Sequence, residues 1–123
     1  MNCLLKPGYK NLLKESHPEI CFAMLNSKGP CKEPIYESKH TEEGQFIRLG
    51  VLEEYYDKTL EFMKYVLENP RLSGIAEDCI DALCLAVTGM LGLKNGVRSI
   101  PENPMQDSWG ITMQMVYADT DPA

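Results

Sequence analysis

Apolar side chains recur along this chain at spacings that change from one segment to the next. The series Phe46, Leu49, Leu52, Tyr56, Leu60, Met63, Leu67 advances mostly by three and four residues, the repeat of one helical face. It predicts a helix over 42–68, either continuous or as two helices joined near Asp57, with the stripe packed in the core. Thr41 stands where an N-cap belongs, and Glu42 and Glu43 suit the positive end of the helix dipole. Pro70 ends the element. From Ala76 to Leu93 the chain reads AEDCIDALCLAVTGMLGL. Its length and its alanines favour a helix over 76–94 rather than a strand. A helix apolar nearly all round is expected to be buried on most sides. Asn95–Gly96 stops it.

The remaining segments are shorter. Tyr9–Ser16 (YKNLLKES) has an apolar centre and reads as a strand near 11–16. Pro18 biases His17 away from helical geometry and is itself tolerated at a first helical position. His17 is therefore a candidate cap and PEICFAMLN a helix over 18–26. Ser27–His40, with Gly29, Pro30 and Pro34, reads as a loop with one extended piece at Ile35–Tyr36. Val97–Ile100 and Ile111–Tyr117 are strand candidates, joined by a loop containing Pro101, Pro104 and Gly110. The class is α/β, a small mixed sheet packed with helices, and 123 residues make one domain, 1–123.

Charge and cysteine content narrow the function classes. A net charge of −6 argues against non-specific nucleic-acid binding, which needs a basic surface. An enzyme that meets nucleic acid through metal ions stays open. The five cysteines are odd in number and lack CxxC spacing, so a disulfide framework or zinc site is not expected. Met1–Lys10 lacks the features of a signal peptide, and no apolar run is long enough to cross a bilayer. A cytoplasmic location, away from membranes, is the expectation.

Asp81 is the most informative residue. Between Cys79 and Leu93 only Asp81 and Thr88 are clearly polar, and a carboxylate in a buried stretch needs a partner. Asp78 lies three residues earlier on the same face, and like charges at that spacing repel. A divalent cation such as Mg²⁺ or Mn²⁺ would relieve the repulsion. The plainer alternative has Glu77 and Asp78 complementing the dipole while Asp81 meets a lysine or arginine. A second candidate is the run Glu15-Ser-His-Pro-Glu19. Glu15 and His17 share a face if the strand is regular; otherwise Glu15 is solvated, His17 a cap and Glu19 a first-turn acid. Lys39, His40 and Arg48 are possible anion ligands or simply solvent-exposed. No phosphate-binding glycine loop or nucleophile elbow is present.

Taken in order, ESHPEICFAMLN, SKHTEEGQFIRLGVL, AEDCIDALCLAVTG, IPENP and DSWGITMQMVY resemble the C-terminal half of domain-of-unknown-function family 429, described as predicted nucleases of the RNase H-like fold. The resemblance covers roughly residues 12–117. It implies a partial RNase H-like fold and phosphodiester hydrolysis by metal-activated water. Glu15, Asp78 and Asp81 match the family's acidic positions, so the resemblance implies a catalytic and Mg²⁺- or Mn²⁺-binding role for them. His17 and Glu19 lie beside Glu15, and Lys39 and Arg48 match basic positions implied to hold substrate.

One departure qualifies this. RNase H-like enzymes carry a leading aspartate on their first strand, whereas no acidic residue precedes the LLKES segment here. The first three strands of that fold also lack a counterpart. The expectation is therefore a nuclease-like half-site, or else a non-catalytic binding or assembly module. A homodimer, or a partner chain supplying the missing strands, would cover the open sheet edge.

Overall fold

The computed structural model describes residues 15–26, 33–106, 108 and 112–120. Its elements run α1 (Pro18–Leu25), α2 (Glu42–Glu53), α3 (Thr59–Glu68), a 3-10 turn at Ser73–Ile75, α4 (Ala76–Asn95), β1 (Val97–Gln106) and β2 (Thr112–Ala118). Helix α4 is the hub: it packs against α1, α2, α3 and β2. Ile80, Leu83, Cys84, Val87 and Leu91 form its buried face, against Cys21, Phe22 and Leu25 of α1, Val51 and Leu52 of α2 and Met63 of α3. Each large aliphatic side chain so buried contributes about 1.5–3 kcal/mol.

The helix ends follow local chemistry. The His17 imidazole caps α1, its Nδ1 accepting from the Glu19 amide at 3.2 Å, with Pro18 in the first turn. Thr41 caps α2, its Oγ1 accepting from the Gly44 amide at 3.0 Å. The region 42–68 is two helices. The Leu52 carbonyl takes the amides of both Tyr55 and Tyr56, and the buried Thr59 hydroxyl donates to the Tyr56 carbonyl at 2.7 Å. These bonds close a turn over 54–58 and restart the chain as α3.

That break shifts the buried face away from the expected stripe. Leu52 and Met63 are in the core, but Phe46 is 78% exposed, and Leu60 and Leu67 are also exposed. The core positions are instead Arg48, Val51 and Leu52 on α2 and Thr59, Met63 and Val66 on α3. Two short helices set their phases separately, and α2 takes its phase from polar ties at its N-terminus, described below.

Two further expectations are corrected. Helix α4 is not buried on most sides: Ala82, Leu85, Ala86, Gly89, Met90 and Leu93 are exposed along one side, because its described neighbours cover only the other. And β1 does not stop at Ile100. It continues to Gln106 and pairs antiparallel with β2. Pro101 and Pro104 are accommodated by a register shift, in which Ile100 faces Met115 and Met105 faces Met113. Prolines are tolerated in strands at such irregularities. Gly96, at φ 101°, makes the turn from α4 into β1, a region where a Cβ is costly. Asp119 closes the hairpin, its amide donating to the Gly96 carbonyl at 3.0 Å while its carboxylate accepts from Arg98 at 3.0 Å.

The structure is a mixed α/β domain, and its sheet among the described residues is two-stranded and antiparallel. Most of the strand expected near 11–16 lies outside the described residues. Its described end runs beside β2: the Glu15 carbonyl accepts from the Val116 amide, and Ser16 Oγ donates to the Val116 carbonyl, both at 2.8 Å.

Candidate functional site

Lys39, His40, Glu77 and Asp81 meet where the segment 37–41 crosses the start of α4. The Ser38 carbonyl accepts from the Thr41 amide at 3.1 Å and from Thr41 Oγ1 at 2.8 Å. This tight turn turns Lys39 and His40 toward α4. Lys39 Nζ donates to Asp81 Oδ2 at 2.9 Å, and His40 Nδ1 meets Glu77 Oε2. The Lys39 side chain is 34% exposed and that of Asp81 only 15%. The hydrogen bond to Asp81 and its negative charge raise the Lys39 pKa above its ordinary value. Asp81 thus has a basic partner, as one of its two sequence alternatives expects.

Arg48 occupies a different place from the one its implied role requires. It is 3% exposed and forms a two-pronged pair with Glu19, Nε to Oε1 at 3.2 Å and Nη2 to Oε2 at 2.8 Å. Its Nη1 also donates to the carbonyls of Glu37 at 2.8 Å and Gly44 at 3.0 Å. The guanidinium carbon lies 5.7 Å from the centre of the Phe22 ring. One side chain thus ties α1, the 37–41 segment and α2 together, using four of the five donors of its planar group. Gly44 is part of the same knot: a Cβ there would lie 1.8 Å from the Ser38 carbonyl oxygen.

The three carboxylates implied to share a metal do not assemble into a ligand set. Glu15 is exposed beside β2, Asp78 is exposed on α4, and Asp81 is held by Lys39. Among the described residues, no three His, Cys, Asp or Glu side chains are grouped to hold a metal ion. Asp81 Oδ1 is buried without a hydrogen-bond partner among those residues. With Lys39 on its other oxygen, Asp81 does not by itself make a divalent-cation site, because the neighbouring ammonium opposes a second positive charge.

A second cluster escaped the sequence reading. Cys21 of α1 and Cys84 of α4, 1% and 0% exposed, belong to the same core cluster. Ser16 Oγ lies 3.0 Å from Cys21 Sγ, and Cys84 Sγ lies 3.8 Å from the Pro18 carbonyl oxygen. The Thr88 hydroxyl is buried without a hydrogen-bond partner among the described residues. Polar stabilisation by the neighbouring Cys84 and Ser16 lowers the Cys21 pKa, whereas the neighbouring Cys21 and burial raise that of Cys84. The two residues lie 63 positions apart, and only the packing of α1 on α4 brings them together.

Fold and site together define a helix-rich α/β domain in which Glu19, Glu77 and Asp81 are partnered by basic side chains. The family model described as Protein of unknown function (DUF429) matches residues 2–106, and the chain belongs to that family. No curated protein and no solved structure matches it. No helix among the described residues is long and apolar enough to cross a membrane.

Proposed function

We propose that this chain is a non-catalytic assembly module that retains the C-terminal core of an RNase H-like domain. The observation that carries this reading is the Lys39–Asp81 pair at 2.9 Å. The carboxylate expected to be central to metal binding is neutralised by a lysine of the same chain, and Glu19 is spent on Arg48 in the same way. The acids act as ties between segments. Assembly is supported by the open side of α4, where Leu93 is 94% exposed with Leu85 and Met90 beside it. A contiguous apolar surface of that kind marks an interface, and a homodimer is the commonest way to cover it.

A second reading is favoured by the unpartnered Asp81 Oδ1. In it the chain is a half-site of a Mg²⁺- or Mn²⁺-dependent nuclease, and a partner chain supplies the remaining ligands and strands. One pair of measurements separates the readings. The pure chain is incubated with single- and double-stranded DNA and RNA and either metal, and its mass is followed by light scattering. The assembly module yields a dimer and no metal-dependent cleavage. Cleavage that is lost in Asp81→Asn would replace it with the nuclease reading, and a monomer at micromolar concentration would remove the assembly role.

A further inference from the structure

We propose that Cys21 and Cys84 are a dithiol–disulfide pair that covalently joins α1 to α4 when a two-electron oxidant such as hydrogen peroxide reaches them. Both sulfurs are buried in the contact between these helices. Cys84 Sγ sits 3.8 Å from the carbonyl oxygen of Pro18, one turn before Cys21 on α1. Both side chains belong to one core cluster where α1 packs on α4, so forming the bond needs movement within that contact rather than a rearrangement of helices. Spacing in the sequence gives no hint of this pair.

The surroundings assign the two sulfurs different parts. Each hydroxyl or thiol nearby has a single proton to give. Ser16 Oγ, which donates to the Val116 carbonyl and lies 3.0 Å from Cys21 Sγ, can turn that proton onto Cys21 once the sulfur is ionised. Cys21 is thus the thiolate and the nucleophile, since the thiolate is the reactive form. Cys84, buried without that support, is the resolving thiol. Ser16, against Cys21 Sγ at 3.0 Å, is itself half-buried, and the oxidant would enter past it.

The chemistry balances in two steps. The Cys21 thiolate attacks one peroxide oxygen, forming an S–O bond as the O–O bond breaks and hydroxide leaves. This gives the sulfenic acid, with sulfur oxidised by two electrons and the peroxide reduced. Cys84 sulfur then attacks Cys21 sulfur, the S–O bond breaks, and the hydroxyl leaves as water with the Cys84 proton. The first hydroxide takes up the proton lost by Cys21, so two thiols and one peroxide become one disulfide and two waters. The closed link spans Cys21 to Cys84, a long loop of the kind that most restricts the unfolded chain.

The full-length chain is treated with hydrogen peroxide, denatured in acid, alkylated and digested without reduction. The expected product is a Cys21 peptide joined to a Cys84 peptide, with the intact chain about 2 Da lighter, reversed by dithiothreitol. The melting temperature of the oxidised chain rises by roughly 4 °C or more. Cys84→Ser leaves Cys21 as a sulfenic acid that a dimedone probe captures, and Cys21→Ala leaves Cys84 reduced. Circular dichroism of both variants checks that they fold; if either does not, the wild-type peptide map alone decides. Cys21 and Cys84 both reduced while the more exposed Cys79 is oxidised, or either thiol linked to another cysteine, would overturn the proposal.

Discussion

Lys39 Nζ and Asp81 Oδ2, 42 positions apart, meet at 2.9 Å across the junction between the 37–41 turn and α4. The relationship is unequal, because Asp81 is the more buried partner. Removing the lysine strands a carboxylate whose other oxygen is already without a partner among the described residues. Removing the carboxylate's charge leaves a lysine that can turn to water.

Lys39→Met is therefore expected to cost about 1–2 kcal/mol, an unsatisfied buried acceptor discounted for partial exposure. Asp81→Asn is expected to cost no more than about 1 kcal/mol. Urea denaturation at pH 7 measures both. The pH dependence has a definite sign. Folding raises the Lys39 pKa above 10.5, so the pair's contribution is complete below the unfolded value and disappears as pH rises through the folded one. The stability gap between wild type and Lys39→Met should stay constant from neutral pH up to about 10.5 and close above it. A gap that persists unchanged well above that range would show that Lys39 does not govern it.

Arg48 invites a sharper test, since its resemblance-based role and its structural role predict different things. A buried arginine with four hydrogen bonds to Glu19, Glu37 and Gly44 is a structural tie. Arg48→Met should destabilise by roughly 3 kcal/mol. Arg48→Lys should recover less than half of that, because an ammonium cannot reproduce the forked geometry. Thermal and urea unfolding would give these values. Reduced oligonucleotide affinity in Arg48→Lys with unchanged stability would return Arg48 to a substrate-binding role.

The two glycines of α2 should respond oppositely to alanine. Gly44 faces the Ser38 carbonyl so closely that a Cβ would sit 1.8 Å from its oxygen. Gly44→Ala must push the 37–41 turn away, at a cost of at least about 2 kcal/mol, and should weaken the Lys39–Asp81 pair with it. Gly50 has nothing within 4 Å of its would-be Cβ. Gly50→Ala should stabilise by up to about 1 kcal/mol through helix propensity. Equal effects at the two positions in denaturant titrations would contradict this account of the α2 N-terminus.

Local chemistry was readable from the sequence wherever it is decided by neighbours in the chain. The His17 and Thr41 caps, the stop at Gly96 and the extent of α4, observed as Ala76–Asn95 against 76–94, follow from residues within one turn of each feature. Periodicity could not say which side of α2 would be buried, because apolar residues lie on more than one side of it. Arg48 and Gly44 made that choice by engaging Glu19 and Ser38, leaving Phe46 in solvent.

The partners of the acids were beyond the sequence for the same reason. Asp78 and Asp81 stand three residues apart, and that spacing is equally compatible with a shared cation and with separate fates. The tertiary structure separated them by bringing the 37–41 turn over α4, so that Lys39 reached Asp81 and His40 reached Glu77. The Cys21–Cys84 contact likewise exists only because α1 lies on α4. What the sequence by itself determined is where α1 and α2 begin, where α4 begins and ends, and which residues carry charge or thiol, since those depend on covalent neighbours. Which charges cancel, which thiols touch and which apolar face stays open depended on helix docking, which sets distances between residues far apart in the chain.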